Sequence, residues 1–192
     1  MTIKSIRTGW TGISALAGNP VIGDFESIAT VTANTTGTVT FSNIPSTYQH
    51  LQLRAIGRGT QSGTFTNMLL RVGNGSVDTG SNYTYHRLIG NGSGSATADG
   101  SANETAGLFG ISGAGAGTNT FYASIIDILD YDDTNKFKTI RSLSGIDNNG
   151  DGTIYLQSFL WRGSSAITTI ELTLGGGQTL NTNSHFALYG IR

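Results

Sequence analysis

The sequence predicts an all-β protein: an antiparallel β-sandwich of jelly-roll or related Greek-key type, preceded by an extended N-terminal arm. Three observations carry this. Short stretches of alternating apolar and polar residues recur along most of the chain. Clusters of Gly, Ser, Thr and Asn separate them, and no stretch repeats its apolar residues at the helical period. The composition agrees, with 28 Gly, 2 Pro and 12% charged residues in 192, and with a Thr content that favours pleated structure. A chain of this length buries one substantial core, so the expected organisation is an arm over 1–24 and one sandwich domain over 25–192.

The arm differs from all that follows. Isolated large apolar residues (Ile6, Trp10, Ile13, Leu16, Val21 and Ile22) alternate irregularly with Gly and Pro20, which makes a poor strand and a poor helix. These side chains need burial that the segment cannot give itself. Draped over a neighbouring subunit, they are the candidate subunit or capsid contacts; the alternative is a tail packed on its own domain.

Strands are then expected over 25–33, 37–42 and 49–58. In the third, Leu51, Leu53 and Ala55 share one face and Gln52 and Arg54 the other, as a half-buried strand requires. Strands over 65–72, 83–89 and 105–111 follow, separated by Gly- and Ser-rich connections. The stretch 90–103 has no large apolar residue and is expected to be a mobile surface loop, and SGAGAGTN after Ile111 reads as another soft connection. The strand over 120–129 contains SIIDIL, a continuous apolar run that suits a central strand or one whose second face meets another subunit. Strands over 136–145 and 153–161 flank DNNGDG, a tight reversal because Asn and Gly tolerate positive φ. Ile170, Leu172 and Leu174 oppose Thr169, Glu171 and Thr173 in the strand over 167–174, and 184–191 closes the set of eleven.

Charge and cysteine content exclude several classes. A formal net charge of −1 supplies no long basic face to neutralise nucleic-acid phosphates. No cysteine is present, which removes disulfides and thiolate metal sites. Two early cations are not followed by the apolar run of a secretory signal, and no segment approaches the roughly 18 apolar residues of a membrane span. The Asn-x-Ser/Thr sequons at Asn34, Asn74, Asn82, Asn91 and Asn103 are what an Asn-, Ser- and Thr-rich chain generates by chance.

The search for chemistry returns mostly turns and strands. GISGAG around Ser112 lacks the second Gly of a nucleophile elbow, which also needs a following helix. His50, His86 and His185 sit on separate strands without ligand spacing. The alternating glycines 90/92/94 and 113/115/117 lack the helix of a phosphate-binding loop and read as linkers. Asp147, Asn149, Asp151 and Gly152 match the opening of a calcium loop, but its twelfth position is Ser158 rather than Glu, so the two readings are a cation site and an Asx-type hairpin turn. A second cluster, Asp127, Asp130, Asp132 and Asp133, could complete such a site if folded nearby. Tyr83, Tyr85, Tyr122, Tyr155 and Trp161 lie on strands where some are expected to point outward and offer stacking surfaces, while core packing explains most of them equally well. No catalytic residue, cofactor or metal site is assigned.

The segments FSNIPSTYQHLQLRAIGR, YTYHRLIGNGS, IDILDYDDTNKFKTIRSLSGIDNNG, LWRGSSAITTIELTL and SHFALYGIR occur in this order. Together they resemble a module of virion proteins from tailed bacteriophages, particularly aquatic and cyanobacterial ones. The likeness spans nearly all of 25–192 and leaves out the arm. It implies a non-enzymatic structural protein located in the virion. A compact sandwich with a short apolar arm favours a capsid cement or decoration protein, bound to the major capsid protein as a homotrimer, without nucleic acid or membrane. The alternative is a tail-fibre or spike domain that binds host-cell glycans.

Overall fold

A computed structural model describes residues 24–92 and 94–192, so the predicted arm contacts from Ile6 to Ile22 lie outside the described residues. The described chain forms thirteen strands: β1 (Phe25–Thr32), β2 (Thr38–Phe41), β3 (His50–Gly57), β4 (Phe65–Asn74), β5 (Ser76–Val77), β6 (Tyr83–Gly90), β7 (Thr97–Glu104), β8 (Gly107–Ser112), β9 (Tyr122–Ile128), β10 (Lys138–Asp147), β11 (Gly152–Trp161), β12 (Thr169–Thr173) and β13 (His185–Ile191). No helix occurs among the described residues. All eleven expected strands are present, with ends shifted by up to a few residues.

Eight strands wind as a jelly roll. β1, β13, β3 and β9 lie side by side, and β2, β12, β4 and β8 form the facing sheet, so β1 to β4 alternate between sheets. The first sheet then grows past β9 through β10, β11, β6 and β7 to eight strands, while the second gains only the two-residue β5. Every pairing between named strands is antiparallel. A bulge between Ser27 and Ala29 interrupts β1 at one edge of the wide sheet.

The core lies between the sheets. Leu51, Leu53 and Ala55 of β3 point inward as their alternation predicts, and meet Ile170 and Leu172 of β12, Met68, Leu70 and Val72 of β4, and Phe186 and Leu188 of β13. Each aliphatic side chain buried in this way contributes about 1.5–3 kcal/mol. The narrow sheet ends at β8, whose outer edge would leave backbone groups unpaired in the interior. Side chains of the wide sheet and the turn after β3 meet that need: the carbonyls of Leu108, Gly110 and Ser112 accept from Gln157 Nε2 at 2.7 Å, Ser124 Oγ at 3.1 Å and Gly59 N at 2.7 Å. Ser124 of β9 and Gln157 of β11 therefore stand in the core for a backbone reason.

Two cations gather the loops at opposite ends of the sandwich. Arg58, just after β3, donates from Nη1 to Gly117 O (2.8 Å) and Thr120 O (2.9 Å), and from Nη2 to Ala114 O (3.1 Å) and Ala116 O (3.0 Å). SGAGAGTN is thus a tied connection and not the soft one expected. Its glycines have a steric cause: a Cβ on Gly113 would stand 2.1 Å from Gly63 O, and one on Gly115 2.5 Å from Ser62 O. At the other end Lys138 is fully buried and donates from Nζ to the carbonyls of Asp133, Lys136 and Ser164. Burial pushes its ammonium pKa down, against the field of Asp133.

One expected loop is in part a strand. β7 occupies residues assigned to the mobile 90–103 stretch and pairs with β6 from Ile89↔Thr97 to Tyr83↔Glu104. It buries no large side chain, so its order comes from the backbone ladder and from Arg87, which grips Asp99 through Nε at 2.6 Å and Nη2 at 2.9 Å. A bidentate guanidinium–carboxylate pair is geometrically specific, and apolar alternation does not report it.

Replacing Arg58 by Met is expected to lower unfolding stability by about 2–4 kcal/mol, because four carbonyls lose a charged donor. The check is a denaturant midpoint shift at constant slope. Arg58→Lys should recover less than half of the loss, since an ammonium cannot span the carbonyls that the guanidinium fork reaches.

Candidate functional site

The outer face of the wide sheet is the most unusual surface among the described residues. Along β10 the inward positions are Lys138, Ile140, Ser142, Ser144 and Ile146, and the outward ones include Leu143; along β11, Ile154 and Leu156 point outward. Registration turns these single residues into rows. Ala98, Leu88, Leu156, Leu143 and Ile125 are successive partners across β7, β6, β11, β10 and β9. The neighbouring row runs Gly90, Ile154, Gly145, Ala123 and Ile56 from β6 to β3.

Six large aliphatic side chains therefore share one surface, each about half exposed, from 44% at Ile125 to 55% at Leu156. Six of the nine exposed large hydrophobic residues among those described lie here. Scattered apolar residues are ordinary on a protein surface, whereas a contiguous group marks an interaction site. The next row, His86, Ser158, Arg141, Asp127 and Gln52, is polar and bounds the patch. Shallow hollows flank the ridge, one walled by Arg54, Ile56, Ile125 and Ile154, the other by His86, Leu88, Arg141 and Leu156. SIIDIL fits the first reading given to it: β9 is central, with Ile126 and Ile128 in the core and Ile125 on the outer face.

The five aromatic residues that could have offered a stacking surface do not. Tyr83, Tyr122, Tyr155 and Trp161 are buried and Tyr85 packs against the core, because all five occupy inward positions of β6, β9 and β11. Tyr83 illustrates the constraint: its hydroxyl accepts from Val72 N and donates toward Val72 O and Asp78 O, and burial pushes its pKa up to about 12.

DNNGDG forms the β10–β11 hairpin. Asn149 and Gly150 take φ of 60° and 99°, Asn148 N donates to Asp151 O, and Asp147 Oδ1 accepts from Asn149 N at 2.9 Å. Asn148 Oδ1 meanwhile accepts from Gly117 N. The second acidic cluster cannot complete a site there: Asp127 faces Arg141, six residues from Asp147 along β10, about 20 Å at strand rise. Asp130 and Asp133 instead share Lys136, at 2.7 and 3.2 Å, which holds Asp130 below the usual carboxylate range. No group of three or more His, Asp or Glu side chains among the described residues is arranged to hold a metal ion. His50 accepts from Asp130 N, while His86 and His185 stand five strands apart. Ser112 is fully buried.

Comparison with protein-family models, with curated proteins and with solved structures gives no match to this chain.

One electrostatic feature lies away from the patch, where the β5–β6 turn meets the end of β11. Asp78 accepts from Trp161 Nε1 at 2.8 Å, Gly80 N at 2.8 Å and Asn82 Nδ2 at 2.9 Å. Burial pushes its carboxyl up, and the three donors more than reverse that, leaving it below the ordinary value. A depressed carboxyl stabilises the fold above its unfolded pKa, and that contribution is lost as pH falls through the folded pKa. In a Trp10→Phe background, Trp161 emission should therefore change in a step below about pH 4, and Asp78→Asn should abolish the step while the rest of the acid transition remains.

Proposed function

We propose that this chain is a non-enzymatic structural protein of a virus particle, a cement or decoration protein that binds the outer capsid surface and stabilises the head, with the major capsid protein as partner. The observation that carries the reading is the outer face of β9, β10, β11 and β6, an apolar surface with no partner among the described residues. The jelly roll is used by capsid and lectin domains alike, so the support for one over the other comes from the surface rather than from the fold. Burial of the five aromatic rings weighs against glycan binding. The virion-protein resemblance of the strand segments supports the same choice. A homotrimer fits because closed cyclic symmetry lets each copy use one surface without leaving a sticky end.

Imaging purified particles with the protein labelled tests this reading. Label spread over the shell is expected, and label confined to the tail would overturn it. Leu143→Glu combined with Leu156→Glu, both at half-exposed positions, should leave the fold intact and reduce occupancy on the shell at least tenfold.

A further inference from the structure

We infer that the free chain pairs with a second copy of itself through the outer face of the wide sheet, the two faces related by a two-fold axis that crosses the strands at Ser144. This goes beyond the particle reading and concerns the protein before it meets a shell. Charge placement on β10 is the first observation. Arg141 and Asp147 are exposed and point outward, three residues to either side of Ser144, with Leu143 and Gly145 between them on the same face. Neither has an ion-pair partner among the described residues. Six residues of strand hold them about 20 Å apart, so they cannot pair within one chain. A two-fold axis through Ser144 exchanges the two ends of β10 between copies. It sets Arg141 of each copy opposite Asp147 of the other, and the contact occurs twice in one self-complementary interface.

The same axis makes the relief of the face fit itself. By register, Ser144 stands level with Ser124 on β9, Tyr155 on β11 and Ile89 on β6. Leu88, Leu143 and Ile125 lie one residue to one side of that line, and Gly90, Gly145 and Ala123 lie one residue to the other on the same strands. Pairing therefore lays each of these large side chains over a small residue of the other copy. Only on β11 do two large ones, Leu156 and Ile154, meet. The fold itself does not require glycine at 145: its φ is not positive, no register shift occurs there, and a Cβ would meet Thr153 O at 3.4 Å, an ordinary contact. Glycine weakens a strand interior and is found where another backbone or a ligand approaches closely. From β3 to β7 the face is about 24 Å across, and from Arg141 to Asp147 about 20 Å. Side-chain relief enlarges that footprint toward the roughly 800 Å² that each partner gives a standard interface. The face thus has the area for a stable pair and for a shell contact alike, and two sheets stack face to face in this way in any sandwich.

Sedimentation equilibrium of the full-length chain tests the inference. At tens of micromolar the wild type should have the mass of two chains. Arg141→Glu alone sets like charges opposite each other in both contacts, as does Asp147→Lys alone, and each should weaken pairing at least tenfold. An equimolar mixture of these two variants should pair to within threefold of the wild type, because every charged contact between unlike copies then joins opposite signs. Gly145→Val, which fills the space proposed for Leu143 of the other copy, should weaken pairing at least tenfold and leave the monomer folded. The buried indole of Trp161 reports folding in each sample, and if it shows a charge variant unfolded, Gly145→Val decides alone. A wild type with the mass of one chain, or of three, would overturn the inference. So would folded variants whose mixture pairs no better than its components, or a dimer that Gly145→Val leaves intact. No particle is used, so failure here is separate from a failure to find the protein on the shell, where the proposed capsid contact takes the same face and the pair opens.

Discussion

The register of the wide sheet is the constraint on which the remaining features depend. In an antiparallel sheet a slip of one residue sends every side chain of a strand to the opposite face. Leu143 and Leu156 face outward together because β10 and β11 pair from Lys138↔Trp161 to Asp147↔Gly152 without a break. The same pairing sets Gln157 inward, where it meets the free edge of β8, and places Asn149 and Gly150 at the turn. Core, inter-sheet hydrogen bonds and outer patch are thus three results of one alignment, and none could be altered alone by shifting a strand.

Eleven strands were legible because alternation and Gly/Asn punctuation signal half-buried pleats directly. β7 was not, since Thr97–Glu104 has no apolar residue larger than Ala and is ordered by a ladder and an ion pair whose two members are twelve residues apart. Which face of a strand is the core was legible in β3 and β12, where one side is plainly polar. It was hidden in β10 and β11, which carry apolar residues on both faces and hydroxyls or an amide inside. Of these, Gln157 serves the edge of β8, a strand distant in sequence, and no local pattern announces that. The same ambiguity left open which of the aromatic residues of β6 and β11 face water and which pack in the core. The glycines at 113 and 115 were visible as a run, but their reason, a backbone passing within contact distance, belongs to the tertiary fold.

The two sheets are unequal, and that inequality organises the surface. The narrow sheet covers the inner face of the wide one, whereas nothing among the described residues covers its outer face. An apolar face that is left outward costs solubility unless something occupies it, and the proposed particle surface would satisfy that physical demand.

The wide sheet is open at both ends. β7 at one end presents Asp99 and Glu104 among small polar residues, and β1 at the other is broken by its bulge between Ser27 and Ala29. Charge and irregularity on an outer strand both discourage another chain from adding to the ladder. Lateral growth into a ribbon is therefore poorly templated, even though the sheet is long and flanked by an apolar face. In the proposed setting of many copies on a confined surface, that property would let neighbours pack face to face in a closed set without crowding turning them into a fibre.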